Sequence, residues 1–360
     1  MPHFKFTKSQ IIIIVQIIIL LFLTIPLCIK SRQAASENVV NGEETTSETE
    51  QKDYIRWVDF TIPSNIMEKA FRLDINSCLD EVHLDWIELL AYLGARYGGD
   101  FSRYKQSDLD SIVEKLKSGE TMDVITADMK YYSYYHEAYT AVLGGMVGCF
   151  EQETEDGTWI SKYGLKAFSP IAKGFPYNDY DDFGAARSYG YKRQHLGHDM
   201  MGQVGTPIIA VESGYVEALG WNQYGGWRIG IRSFDKKRYY YYAHLRKNYP
   251  YQSKLEVGSV VTAGDVIGYL GRTGYSTTEN TNNIDTPHLH FGLQLIFDES
   301  QKEGNNEIWI DCYELTKFLH MNQSQTVKVE GTKEWTRVYG QKEPEEISQS
   351  DTSSGQTGAD

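Results

Sequence analysis

Three short segments that carry histidine and aspartate constrain the fold of this chain more than any other feature. They hold His195 with Asp199, the isolated His244, and His288 with His290. Imidazole and carboxylate groups are the usual ligands of a catalytic zinc ion, which takes three of them and keeps one position open for water. A fold that brings these segments together would therefore build a hydrolytic zinc site.

The spacing within the segments predicts extended strands rather than helices. Gly197 lies between His195 and Asp199, and glycine is a poor helix former. Residues two or four apart share one face of a strand, so His288 and His290 should point the same way. The apolar residues that alternate with them should point to the opposite face, into a core.

Other readings of these histidines stay open at this point. An isolated histidine in a strand is more often a hydrogen-bonded structural residue than a metal ligand. His198 directly precedes Asp199, and strand alternation should turn it away from the metal, so we interpret it as structural or solvent-facing. His136 begins a sequence like the helical HExxH zinc motif, but Thr140 replaces the second histidine.

The stretch from Phe168 to Phe297 resembles the lysostaphin/LytM-type zinc metalloendopeptidases. The resemblance lies in the order and spacing of these motifs: His195-Leu-Gly-His-Asp199, Gly205-Thr-Pro-Ile-Ile-Ala210, Ser213-Gly-Tyr-Val216, Tyr242-Ala-His-Leu245, Val257 to Gly268, Gly271-Arg-Thr-Gly-Tyr-Ser276 and Pro287-His-Leu-His-Phe-Gly292. One departure is an insert at 277–286, which should lie near the rim of the cleft and alter substrate choice.

The resemblance implies the roles of five residues and the substrate. It makes His195, Asp199 and His290 the ligands of one Zn²⁺ per chain, and His244 and His288 the catalytic histidines beside it. Zinc with an open position lowers the pKa of a bound water to about 7, and the two histidines would then move protons. The implied substrate is the peptide part of bacterial peptidoglycan.

The fold class predicted from the whole sequence is α+β and multidomain. It comprises an N-terminal membrane helix, a small helical module at 54–155 and a mainly antiparallel β-sheet domain, β-sandwich-like in the resembled family, at 160–335. Apolar spacing near 3.6 predicts helices, and short alternating runs predict strands. The predicted helices are Ser64–Ile75, Cys78–Tyr97, Gln106–Ser118 and Tyr131–Phe150, and the predicted strands are Ile208–Val211, Tyr215–Leu219, Trp227–Arg232, Arg238–Ala243, Val266–Leu270 and His288–Ile296.

The chain ends carry predictions about location. An almost unbroken apolar segment at 11–29 is long enough to cross a 30 Å hydrocarbon core at about 1.5 Å per residue, and we interpret it as a transmembrane anchor. Residues 1–10 would be cytoplasmic, and 30–53 a flexible tether. This arrangement predicts a single-pass protein of the cell membrane with an extracytoplasmic catalytic domain; secretion after signal cleavage is the alternative. A disordered acidic tail is expected at 341–360.

Charge and cysteine content narrow the possible partners. The formal net charge of −14 disfavours nucleic-acid binding. Cys78 and Cys149 belong to the same helical module and are candidates for a disulfide, which sequence alone does not establish. The helical module carries no legible chemistry and is interpreted as a spacer or a site for a protein partner.

Two functions of different class follow. The preferred one is a membrane-anchored zinc endopeptidase that acts on peptide crosslinks or bridges of peptidoglycan. The alternative is a catalytically silent or autoinhibited extracytoplasmic scaffold that binds the wall or a partner protein, for example in sporulation or cell division. The presence of all three candidate ligands and both candidate catalytic histidines favours the enzyme.

Overall fold

The computed structural model describes residues 55–188, 192–302 and 306–343, and these described residues belong to one compact unit. The helices are α1 (Ser64–Ser77), α2 (Trp86–Tyr97), α3 (Gln106–Lys117), α4 (Met122–Thr126), α5 (Tyr132–Leu143) and α6 (Tyr313–Leu319), with 3₁₀ turns at Phe101–Arg103 and Glu299–Gln301. In these three ranges, none of the helices combines the length and the apolar character that a bilayer crossing requires. The segments at 1–10, 11–29 and 30–53 lie outside the described residues.

Strands make up most of the remaining structure. They are β1 (Val147–Glu153), β2 (Trp159–Leu165), β3 (Asn178–Asp179), β4 (Ala186–Ser188), β5 (Lys192–Gln194), β6 (His198–Met201), β7 (Pro207–Ile209), β8 (Gly214–Asn222), β9 (Gly226–Ser233), β10 (Arg238–Ala243), β11 (Val260–Val261), β12 (Val266–Tyr269), β13 (His288–Leu295), β14 (Ile308–Ile310), β15 (Thr326–Lys328), β16 (Trp335–Arg337) and β17 (Gln341–Lys342). The predicted α+β class with a mainly antiparallel sheet is therefore confirmed.

The central sheet has eight strands in the order β11-β8-β9-β10-β13-β6-β3, with β14 paired to β13. All its pairings are antiparallel. Alternation along β13 sends Leu289, Phe291 and Leu293 into the core, where each is fully buried. Tyr242 of β10 packs on Phe291 with ring centroids 5.4 Å apart. The opposite face of these strands is thus left for polar side chains.

The ends of two helices differ from the predicted ones. A helix was expected to start at Cys78, but α2 starts after Asp85, whose carboxylate accepts hydrogen bonds from the backbone of Ile87 (2.7 Å) and Glu88 (3.0 Å). The prediction of a helix through Phe150 is wrong. The helix α5 ends before Gly144, and a side chain at the next position, Gly145, would collide with the carboxylate of Glu212.

The helices and the central sheet share one hydrophobic core. Phe318 of α6 stacks on Trp86 of α2 at 5.5 Å and meets Phe71 of α1 edge-on at 5.7 Å. The hairpin of β1 and β2 crosses the expected boundary between 54–155 and 160–335, and that division of domains stays a prediction.

The C-terminal segment is ordered further than predicted. Gln341 and Lys342 pair with β1, and the buried carboxylate of Glu343 accepts hydrogen bonds from Ser213 and from Lys166, the latter at 2.5 Å. Residues 341–343 are therefore ordered, although a disordered tail was expected from residue 341. The residues after 343 lie outside the described range. Cys78, Cys149 and Cys312 are free thiols, so the candidate disulfide is not formed.

Candidate metal centre

Pairing of β6 with β13 builds the centre. Asp199 lies opposite His290 in this register, and His195 lies on the turn that precedes β6. Oδ1 of Asp199 is 2.9 Å from Nδ1 of His290 and 3.0 Å from Nε2 of His195. The two imidazole nitrogens are also 3.0 Å apart. The three side chains predicted as zinc ligands are therefore brought together.

The donor set fits a zinc ion. Zinc binds imidazole nitrogen and carboxylate oxygen at about 2.0–2.1 Å, which for tetrahedral angles separates neighbouring ligand atoms by about 3.3 Å. The observed separations of 2.9 to 3.0 Å are close to that value. A cation among these atoms would also remove the repulsion between their lone pairs. Within the described ranges, the group of side chains with metal-ligand geometry consists of His195, Asp199 and His290.

Two further side chains orient the ligands. Nδ1 of His195 lies 3.0 Å from Oδ1 of Asp182, so the ring donates its proton there and leaves the Nε2 lone pair directed at the centre. Arg187 donates to the second oxygen of Asp199 at 3.2 Å and also contacts Asp182. Asp199 thus keeps one oxygen for a metal while its other oxygen is held by a guanidinium.

His244 and His288 lie together beside the ligands. Their ring centroids are 4.7 Å apart, and the His244 ring is 5.9 Å from that of His290. Nδ1 of His244 is 2.9 Å from the carbonyl oxygen of Thr273, and Nδ1 of His288 is 2.8 Å from that of Thr286. A carbonyl only accepts hydrogen bonds, so both rings carry their proton on Nδ1 and present an unprotonated Nε2 when neutral.

Electrostatics favour an ionised Asp199 and a neutral His244. Burial raises the pKa of Asp199, but hydrogen bonds from His195 and His290 outweigh it and hold that pKa well below the usual range. Burial lowers the pKa of His290 and, much further, that of His244. Burial also lowers the pKa of His195, but its hydrogen bond to Asp199 leaves it raised overall. The carboxylate is therefore ionised, and His244 is neutral.

Gly197 is required by a close approach within the centre. A Cβ atom there would lie 2.6 Å from the His290 ring and 2.8 Å from the carbonyl oxygen of Phe291. Cβ atoms do not approach other atoms that closely, so any side chain would displace a ligand. The glycine that argued against a helix thus also allows His195 and His290 to converge.

His198 points away from the centre, as strand alternation predicts. It is 2 % exposed, which excludes the solvent-facing alternative, and its Nε2 lies 3.2 Å from Oδ2 of Asp179. Its ring packs edge-on against Tyr313 at 5.5 Å. His198 is therefore a structural residue that ties β6 to β3 and α6.

The centre opens into a cleft of about 1020 Å³ on the polar face of the sheet. Ile284, Asp285 and Thr286 line it, which places the end of the insert at 277–286 on the cleft wall, near its expected position. Tyr241 lies on the cleft floor with its ring 5.9 Å from that of His290.

Sequence reasoning found all five central residues, whose catalytic and ligand roles stay predictions, but it missed their partners. Asp182 and Arg187 lie in a polar stretch with no recognisable motif, and only the structure places them against His195 and Asp199. The carbonyl groups that fix the tautomers of the other two histidines carry no sequence signal at all. The run of aspartates before β4 was the one available hint.

Known proteins match the part of the chain that holds the candidate metal centre. The model of Peptidase family M23 matches residues 193–303. The L-Ala–D-Glu endopeptidase of Bacillus subtilis is 37% identical over 124 residues, which are 34% of this chain and 36% of that protein. Lysostaphin of Staphylococcus simulans is 40% identical over 98 residues, which are 27% of this chain and 17% of that protein. The chain thus spans about a third or less of the length of these curated relatives.

Solved structures of similar proteins include a LytM protein of Ruminococcus gnavus. It has a TM-score of 0.47 and 23% sequence identity, with 72% of this chain and 94% of that chain covered. The catalytic domain of lysostaphin from Staphylococcus simulans has a TM-score of 0.30 and 32% identity, covering 39% of this chain and 92% of that chain.

Proposed function

We propose that the chain is a member of peptidase family M23, whose model matches residues 193–303, and that it is a zinc-dependent endopeptidase that hydrolyses peptide bonds of bacterial peptidoglycan. The observation that carries this proposal is the convergence of His195, Asp199 and His290 at about 3 Å. Curated relatives that are named as endopeptidases, such as the L-Ala–D-Glu endopeptidase of Bacillus subtilis, support the same reaction.

Zinc held by the three ligands would lower the pKa of a water molecule and polarise a peptide carbonyl. The proton transfers belong to residues of the chain. His244 and His288 line the cleft with unprotonated Nε2 atoms, so either ring can accept a proton from the attacking water. The protonated ring can then protonate the leaving amine. The carbonyls of Thr273 and Thr286 hold both rings in this orientation.

The test uses the full chain loaded with zinc and incubated with purified, crosslinked peptidoglycan. Mass spectrometry of released fragments should find new amino and carboxyl ends, which also identify the bond. His195→Ala should release none, whereas His320→Ala, which changes an exposed histidine on the end of α6, should behave as the parent protein. A folded, zinc-loaded parent protein that cuts no wall preparation would favour the scaffold function instead.

We also propose that the segment at 11–29 anchors the protein in the cell membrane, with the catalytic domain outside the cytoplasm. The nearly unbroken apolar sequence and its length support this arrangement. Cell fractionation with external protease should find the protein in the membrane and its catalytic domain accessible in intact cells. A mature N-terminus located after residue 29 would instead support signal cleavage and secretion.

A further inference from the structure

The cleft beside the metal centre contains two arginines that have no carboxylate partner among the described residues. Arg193 of β5 and Arg228 of β9 both line this cleft. Among the residues that the structure describes, neither makes an ion pair with a carboxylate. This is unusual in a chain whose formal net charge is −14, because acidic side chains are abundant elsewhere on it.

Arg228 lies close to the centre in the sheet. Its neighbour Ile229 pairs with Tyr242 on β10, and the next residue on β10, Ala243, pairs with His290 on β13. Adjacent strands are about 4.8 Å apart, so the backbones of Arg228 and His290 are separated by about 10 Å across the small side chain of Ala243. An extended peptide covers that distance in about three residues, and the long arginine side chain shortens it further.

The guanidinium of Arg228 has an unused donor. Its Nε atom is buried and has no hydrogen-bond partner within the described ranges. Burial raises the pKa of Tyr239 to about 12, while the charge of Arg228 and a hydrogen bond between the two side chains oppose that rise. A buried donor without an acceptor is rare, and it is costly unless a ligand supplies the acceptor.

Besides the candidate ligand Asp199 and Asp285 on the insert, two carboxylates line the wider cleft, Glu217 and Glu307, and both have partners other than Arg228. Glu217 lies 3.5 Å from the guanidinium of Arg232 and also contacts Lys302. Glu307 accepts a hydrogen bond of 2.7 Å from the indole nitrogen of Trp309. Glu307 keeps its negative charge, because an indole N–H is a neutral donor. Neither carboxylate, however, forms an ion pair with Arg228 in the part of the chain that the structure describes.

Arg193 adds a second positive charge to the same part of the cleft. Its guanidinium stacks over the ring of Tyr275 at 4.8 Å and over that of Tyr224 at 5.7 Å. Tyr224 and Tyr275 also line the cleft, so the guanidinium of Arg193 lies at the cleft wall.

We propose that Arg228, assisted by Arg193, forms a subsite for a free carboxylate of the substrate, within about two residues of the scissile bond. The inference rests on the proposed peptidase function and adds its specificity. An arginine fork matches a carboxylate with two parallel hydrogen bonds, and such charged pairs are among the stronger ones in proteins. The cleft would then select acidic stem peptides over uncharged peptides such as glycine bridges.

The test uses two synthetic stem peptides that differ in one group. Both contain the cleavable bond next to a D-glutamyl residue, and that residue carries either a free α-carboxylate or the isosteric carboxamide. The full-length, zinc-loaded protein should show kcat/KM about ten- to a hundredfold higher for the carboxylate peptide, the range expected for a hydrogen bond to a charged group. Arg228→Gln should lose this preference because its kcat/KM falls for the carboxylate peptide and stays unchanged for the carboxamide peptide.

Three further variants test whether a general structural defect explains the result. Arg228→Lys keeps the charge but not the fork, so it should retain part of the preference. Arg103→Gln removes a matched charge from an exposed position on the first 3₁₀ turn and should change nothing. Arg193→Gln should reduce the preference by a smaller factor and serves as the second probe if Arg228→Gln does not fold.

The outcomes separate this inference from the proposed function. Equal use of both peptides by the parent protein, or an unchanged preference in folded Arg228→Gln, would overturn the subsite while leaving the peptidase intact. If neither peptide is cut, calorimetric binding of the two peptides decides. If the parent protein binds the carboxylate peptide more tightly and Arg228→Gln abolishes this difference, the subsite is supported and only the proposed peptidase activity is contradicted. Equal binding of the two peptides would overturn the subsite.

Discussion

Two charged clusters around the central sheet differ in how completely their polar atoms are paired. In the Arg238 network, Arg238 donates from Nε to Glu212 at 2.7 Å and from Nη2 to Asp235 at 2.8 Å. Its Nη1 donates to the carbonyl oxygen of Ala141 at 2.9 Å, and Tyr240 donates to Glu212 at 2.6 Å. Arg238 is 1 % exposed, so its guanidinium is shielded from water and its partners all lie within the protein, although the Asp235 carboxylate itself reaches solvent.

The metal centre has the opposite character. In the neutral His195 ring, Nδ1 donates to Asp182, so Nε2 presents a lone pair 3.0 Å from the ionised Asp199. The group opens into the cleft rather than into the core. The polar atoms of the Arg238 network are paired within the protein, which is typical of a structural cluster. In the metal centre, ligand atoms converge on one point next to the cleft, which is typical of a cation site.

The largest effect is expected for Asp199→Ala, which tests whether the metal centre needs a cation. Removal of the charged ligand should abolish zinc retention and lower peptidase activity by at least about a thousandfold, because zinc supplies several kcal/mol of transition-state stabilisation. The metal-free fold should survive, since the substitution relieves converging acceptors. Zinc content, fragment release and circular dichroism check these three expectations. A variant that retains full zinc and activity would exclude this centre as the site of catalysis.

The Arg238 network should respond in stability rather than in chemistry. Glu212→Ala leaves Arg238 buried without its carboxylate and should lower the free energy of unfolding by about 3–5 kcal/mol, measured by urea titration. Zinc binding should persist in the folded fraction. As a matched control, Glu68→Ala breaks the exposed pair of Glu68 with Arg72 on α1 and should cost at most about 0.5 kcal/mol. If both substitutions lowered the free energy of unfolding equally, the Arg238 network would contribute no more to stability than an exposed ion pair.

A third expectation separates proton transfer from metal binding. His288→Ala should lower kcat by about a hundredfold or more, as for the loss of a general acid or base, while zinc content stays at that of the parent protein. His244→Ala should do the same, because both rings present an Nε2 atom to the cleft. Loss of zinc in proportion to activity would instead make these histidines ligands.

Strand alternation explains why so much of the centre was predictable. A period of two decides which residues of β13 face the cleft, so His288 and His290 share that face whatever the rest of the chain does. The hairpin loop between β9 and β10 was predictable as well, because Ser233 to Lys237 is a polar run between two apolar strands. Local pattern therefore fixes the strands and the residues on each face.

Contacts between distant segments were not predictable. Arg238 binds Glu212 and the end of α5, and Asp182 binds His195, without any pattern that links these residues in the sequence. The same holds for β17, where Gln341 joins β1 although the sequence around it resembles a polar tail. Such contacts depend on tertiary packing, which local propensity does not encode.

The smallest expected effect comes from Gly197→Ala, which perturbs the centre without removing a polar group. The added methyl would meet the His290 ring at 2.6 Å, so this ligand must shift, and overpacking of this kind costs about 1–3 kcal/mol. We expect about a tenfold loss of zinc affinity, measured by competition with a chelator, and a comparable loss of activity. Gly164→Ala, where no atom lies within 4 Å, is the matched control and should change neither. Unchanged zinc affinity in Gly197→Ala would mean that the ligands tolerate displacement, and the centre would then be less rigid than the Arg238 network.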